Sequence, residues 1–83
     1  MEIKQEIRVY VAEHFLPGGQ GLEDTTPLIS GGLIDSIGML GLISFMESRF
    51  GVEFMPREVD AHTLDNVDLI AALIDRKLAA KAS

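Results

Sequence analysis

Apolar stripes of helical period, with no sustained two-residue alternation anywhere in the chain, constrain this sequence more than any other feature. Ile3, Ile7, Tyr10, Val11 and Phe15 recur at i, i+4, i+7, i+8 and i+12. With Lys4, Arg8 and Glu13 on other faces, that spacing predicts an amphipathic helix over residues 2–15. Asp35 and Ser36 both favour helix starts, and the following residues stay helix-compatible until Phe50-Gly51, where glycine supplies a stop. A second helix is expected over Ser36–Phe50. Asp65-Asn66 can cap a last helix in which Val67, Ile70, Leu73, Ile74 and Leu78 share one face. Asp68 in its first turn and Arg76 and Lys77 near its end suit the helix dipole. That helix is expected over residues 66–80, with Lys81-Ala82-Ser83 frayed.

The intervening segments read differently. Pro17-Gly18-Gly19 stops the first helix, and the stretch from there to Asp35 holds five glycines and two prolines. Loops beyond about 12 to 15 residues in a small domain are usually functional or disordered. Leu22, Leu28, Ile29, Leu33 and Ile34 argue that this one is packed down. After Gly51, Val52 and Phe54 alternate with Glu53 up to Pro56, an extended connector followed by a helical turn near residues 57–59. The fold class is all-α.

A chain of 83 residues allows one domain, spanning residues 1–83, and no second one. Its 47% hydrophobic and 24% charged residues are the composition of a globular protein. Folding at this size buries only roughly 60% of the unfolded surface, and the usual reinforcements are disulfides or metals. There is no cysteine, so packing must carry the fold and a reducing cytoplasm suits it. The net charge of −6 repels phosphate backbones and anionic lipid, making nucleic acid and membrane surfaces poor partners. Apolar runs fall far short of the ~20 residues that span a bilayer, and Met1-Glu2-Ile3-Lys4 lacks a signal peptide's cationic-then-apolar order. A cytoplasmic monomer is expected.

The strongest local signal is Gly31-Gly32-Leu33-Ile34-Asp35-Ser36-Ile37, a glycine-rich turn delivering an Asp-Ser pair to a helix start. A serine there lies near free backbone N–H groups and the positive end of the dipole, a place that favours an attached phosphate. Taken alone, the pair reads as ordinary helix capping. It does not stand alone. With Asp24-Thr25-Thr26-Pro27-Leu28 before it, Glu47 and Phe50-Gly51-Val52-Glu53-Phe54 after it, and Asp65-Asn66-Val67-Asp68-Leu69-Ile70 at the last helix, the chain resembles the acyl carrier and peptidyl carrier proteins, the phosphopantetheine-binding carrier domains. The resemblance covers nearly its whole length.

That resemblance implies a small antiparallel bundle of three long helices plus one short helix, with a long loop between the first and second. It implies that Ser36 receives 4'-phosphopantetheine as a phosphodiester and that the arm's thiol carries an acyl or aminoacyl group as a thioester. Asp35 would be read by the phosphopantetheinyl transferase, which uses coenzyme A and magnesium. Further implied partners are an acyl- or aminoacyl-loading ligase or transferase and downstream biosynthetic enzymes. The chain itself would do no chemistry.

Other chemistry is weaker in the sequence. His14 and His62 with Ser36 and Asp35 suggest a hydrolase triad only if they meet in space, and so short a helical chain scarcely provides an oxyanion hole and a pocket besides. Glu58, Asp60, Asp65 and Asp68 fit no calcium-loop spacing, and a solvated acidic face is the expectation.

On a helical wheel Met39, Leu42, Ile43, Met46 and Phe50 share one arc of the second helix, the expected core, while Ile37, Leu40, Gly41, Ser44 and Ser48 share the opposite one. Carriers of fatty-acid synthesis typically stud that outer face with acids. Here Glu47 is the sole acid of the helix, which favours a specialised aminoacyl, peptide or polyketide pathway over fatty-acid synthesis. Ile37, Leu40, Gly41, Ser44 and Glu47 are the expected partner-binding residues. Glycines at 38 and 41 each cost about 1 kcal/mol relative to alanine, which suggests close approach by another surface. The alternative of a different class is a carrier-like helical adaptor with no arm.

Overall fold

Each apolar stripe can leave water only by packing on the others, and the computed structural model, which describes residues 2–16 and 22–82, joins four helices in one bundle. The long members are α1 (Ile3–Phe15), α2 (Ser36–Phe50) and α4 (Val67–Ala82), of 13, 15 and 16 residues. A 3-10 turn at Pro56–Glu58 and the single-turn α3 (Ala61–Leu64) fill the interval between α2 and α4. The expected small helical bundle is thus observed. The Pro17-Gly18-Gly19 stop and Ser83 lie outside the described residues.

Helix ends differ from expectation by a residue or two, each for a visible reason. α4 starts at Val67 because Asn66 is its cap, with Oδ1 accepting from the Leu69 N–H at 2.8 Å. It continues through Lys81 and Ala82 instead of fraying there. Lys81 Nζ donates to the carbonyl of Gly51, tying the last turn of α4 to the end of α2. Gly51 closes α2 in the left-handed conformation (φ 71°), its N–H on the Glu47 carbonyl at 3.0 Å. The one short helix of the expected bundle is α3, a few residues after the turn; Asp60 caps it, accepting from the Thr63 N–H at 3.0 Å.

The buried arc of α2 is Met39, Leu42, Ile43, Met46 and Phe50, as the wheel predicts. It meets Ile7 and Val11 of α1, and Val67, Ile70, Leu73 and Ile74 of α4. The long loop contributes Leu28 and Ile34, both essentially inaccessible, so it is packed onto the core as its apolar residues predict.

α1 and α2 lie antiparallel, since the end of one meets the start of the other. Phe15, closing α1, sits over Gly38 in the first turn of α2, and at the other end Arg49 pairs with Glu6 at 2.8 Å. Between them Tyr10 stacks on Phe45 of α2 with centroids 4.4 Å apart and on His14 of its own helix at 4.0 Å. The helix glycines explain themselves here. A Cβ on Gly38 would lie 2.6 Å from a Phe15 ring carbon, and one on Gly41 would lie 3.3 Å from the Tyr10 hydroxyl. The surface that approaches closely is α1 of the same chain. Among the described residues no helix is long and apolar enough to cross a membrane.

Candidate functional site

The Asp-Ser pair divides its labour. Asp35 is the residue before α2, and its Oδ1 accepts from the Gly38 N–H at 2.7 Å, while its carbonyl takes the Met39 N–H at 2.9 Å. Capping is therefore complete without the serine. Ser36 is the first helical residue and is exposed, and its hydroxyl has no hydrogen-bond partner among the described residues. The N–H groups of Ser36 and Ile37, which a helix start leaves without intrahelical acceptors, are likewise unpaired among the described residues.

Beside this hydroxyl opens a cleft of about 530 Å³. Ser36, Met39 and Leu40 form its α2 side, Ile29, Gly32 and Ile34 of the long loop a second wall, and Val59 and Asp60 the third. Its surface is mainly apolar, with the carboxylates of Asp35 and Asp60 as the charged groups. Gly32 takes a φ of 77°, a left-handed conformation that suits glycine and turns the chain toward Asp35.

The loop wall is fixed from behind. Asp65 Oδ1 accepts from the N–H groups of Ile29 at 2.9 Å and Ser30 at 2.8 Å, and Oδ2 from the Ser30 hydroxyl at 2.7 Å. The Ser30 hydroxyl, followed by its N–H, holds the Asp65 carboxyl below the usual carboxylate range. Asp65 is thus a loop anchor, and the capping of α4 falls to Asn66 alone.

Glu58, Asp60 and Asp68 also stay at the surface, each with a local tie. Asp60 is drawn below its ordinary value by the Thr63 hydroxyl first and the Thr63 N–H second. Glu58 is lowered by Lys77, whose Nζ lies 2.7 Å away and also 5.2 Å from the centre of the Phe54 ring, and then by the Met55 N–H. Asp68 meets Lys4 at 2.8 Å, which raises the lysine, and Arg8 reaches Asp24 on the long loop at 2.6 Å. Among the described residues no three metal-capable side chains converge.

Neither histidine lines the cleft. His14 stacks on Tyr10 with Nδ1 3.0 Å from that residue's carbonyl, and His62 is exposed in α3. Among the described residues no Ser-His-Asp arrangement is built. Of the expected partner residues, Ile37 is 80% exposed and Leu40 63%, and Ser44 is also exposed. Gly41 is exposed but edges the α1 contact. Glu47 turns back on the chain, with Oε2 accepting from the Phe54 N–H at 2.9 Å, so its charge fastens the connector after α2.

The chain matches no protein-family model and no curated protein.

Proposed function

We propose that this protein is a carrier whose Ser36 bears 4'-phosphopantetheine and which presents acyl or aminoacyl thioesters to partner enzymes. The single observation that carries the reading is the unpaired Ser36 hydroxyl at the mouth of an apolar cleft, with its neighbour Asp35 already doing the capping. A free hydroxyl at that position has no structural task, whereas a phosphodiester there would meet two unpaired helix N–H groups and the positive dipole end. The residues present fit such a group: an oxygen nucleophile in the open and room beside it. When bound, the arm supplies a thiol that holds cargo as a thioester.

Installation replaces adenosine bisphosphate by the Ser36 oxygen on the phosphorus of coenzyme A that bears pantetheine, and the serine proton passes to the transferase. Ile37 and Leu40 give that enzyme, and the loading ligase or acyltransferase after it, an apolar footing beside Ser36. Their exposure, and the absence of any free acid along α2, support a specialised aminoacyl, peptide or polyketide pathway over fatty-acid synthesis. A monomer working in the cytoplasm, with neither nucleic acid nor membrane as partner, completes the reading.

Incubation with coenzyme A, magnesium and a broad-specificity phosphopantetheinyl transferase tests it by intact mass. The expected result is a gain of one phosphopantetheinyl group in wild type and none in Ser36→Ala, with both folded. A wild-type chain that gains nothing is instead an adaptor that binds its partner without an arm.

A further inference from the structure

We infer that Asp65 is a positioning residue for the Ser36 site: by clamping residues 28–30 to the α3–α4 corner it sets where the loop wall of the cleft stands, an inference that rests on the carrier reading. Every side-chain hydrogen bond of Asp65 crosses to the loop, to Ile29 and Ser30, which lie 36 and 35 residues earlier in the chain. Its backbone joins in, the Asp65 carbonyl accepting from the Leu28 N–H at 2.5 Å. From this anchor the loop doubles back on itself. The Gly32 N–H donates to the Ile29 carbonyl at 3.1 Å and the Ile34 N–H to the Leu28 carbonyl at 2.9 Å. All three loop residues of the cleft wall, Ile29, Gly32 and Ile34, are therefore one or two hydrogen bonds from Asp65.

The facing wall, Val59 and Asp60, belongs to the short segment that ends at Asp65. One residue thus fixes the spacing of two walls while touching neither Ser36 nor the cleft interior. The rival account is that burial of Leu28 alone seats the loop, with the carboxylate merely satisfying donors that water would otherwise satisfy. The two accounts differ in what happens on the far side of the loop when the carboxylate goes.

The test compares wild type with Asp65→Ala, Asp65→Asn and Ser30→Ala. Amide exchange and amide chemical shifts are recorded on the arm-free chain, and KM and kcat for arm installation are measured with coenzyme A and a broad-specificity transferase. Asp65→Ala is expected to speed exchange at Ile29 and Ser30 about tenfold or more, because three hydrogen bonds are lost, while Val11 in α1 exchanges as in wild type. It should move the amide shifts of Gly32, Ile34 and Ser36, and raise KM for the carrier about tenfold with kcat nearly unchanged. Asp65→Asn keeps an oxygen for the two N–H donors and should restore most of each effect; Ser30→Ala should show them in the same sense but smaller.

Unmoved shifts at Gly32 and Ile34, or an unchanged KM despite faster exchange at Ile29, overturn the inference. Should Asp65→Ala fail to fold, the same shifts are read in Ser30→Ala and Asp65→Asn, and their constancy in both overturns it equally. A wild type that accepts no arm defeats the carrier reading, whereas shifts and exchange on the arm-free chain still decide the clamp.

Discussion

Two sides of α2 show how one helix meets opposite demands with similarly small side chains. Toward α1, Gly38 and Gly41 clear room for the Phe15 ring and the Tyr10 hydroxyl, and Phe45 stacks on Tyr10. Smallness there permits close packing, and the lost helix propensity, about 1 kcal/mol per glycine, is offset by aromatic burial. Toward solvent, Ser36, Ile37, Leu40 and Ser44 stay exposed. An outward pair as apolar as Ile37 and Leu40 gains little for folding. The difference teaches that small residues on this helix are not one surface: the glycines belong to the fold, and only the strip beside the cleft is free for partners.

The largest expected effect breaks the inner side. Phe50 is 7% exposed and packs edge-on to Phe45 at 6.3 Å, so Phe50→Ala should cost roughly 3 to 5 kcal/mol. For a domain with a total stability of only ~5 kcal/mol, denaturant titration should find much of the population unfolded. Gly38→Val comes next. A Cβ there lies 2.6 Å from the Phe15 ring, so the ring must shift to admit the valine, and overpacking of that kind costs about 1 to 3 kcal/mol. A melt like that of wild type would show that α1 does not seat on Gly38.

The outer strip should respond in the reverse manner. Leu40→Glu is expected to leave the melting temperature within a degree or two of wild type while lowering kcat/KM for arm installation about tenfold, or ~1.4 kcal/mol of transition-state binding. Equal loading by wild type and variant would move the partner surface away from Leu40.

A smaller effect follows pH. Glu58, Asp60 and Asp65 titrate below their ordinary range in the folded chain, so the stability they contribute is present above that range and lost as pH falls through their depressed folded values. Lys4 is raised above 10.5, so its contribution is present below that value and lost as pH rises through the folded one. Melting temperature should be flat between about pH 5 and 10 and decline on both sides. On the acid side the amides of Ile29 and Ser30, which donate to Asp65, should shift only below the ordinary carboxylate range, as the lowered Asp65 takes up its proton. The smallest effect is Gly41→Ala: a gain in helix propensity of up to about 1 kcal/mol, set against a Cβ at 3.3 Å from the Tyr10 hydroxyl, should net only a few tenths.

Local signals in the sequence carried far. The periodic stripes located three helices, and the buried arc of α2 is the one the wheel drew, because helix period and burial are coupled within one element. Asp35 and Ser36 were legible as a pair, but not their division into cap and free hydroxyl, which depends on which oxygen reaches the Gly38 N–H. The glycines signalled close approach without saying by what; only the placement of Phe15 and Tyr10 shows it. The resemblance implies one short helix without its position, which Asp60 three residues before Thr63, a capping spacing, could have revealed. Asp65 looked like a cap because it precedes a helix. Its partners lie 35 and 36 residues away, a separation at which no local pattern speaks.

Peptide mapping after arm installation tests the central claim most directly, since it asks which side of α2 is the working one. The chain has serines at 30, 36, 44, 48 and 83. The account predicts a single phosphopantetheinyl group, found wholly on Ser36, with Ser30 held by Asp65 and Ser44 and Ser48 left unmodified. An arm on any other serine, or none on the folded wild-type chain, would contradict it.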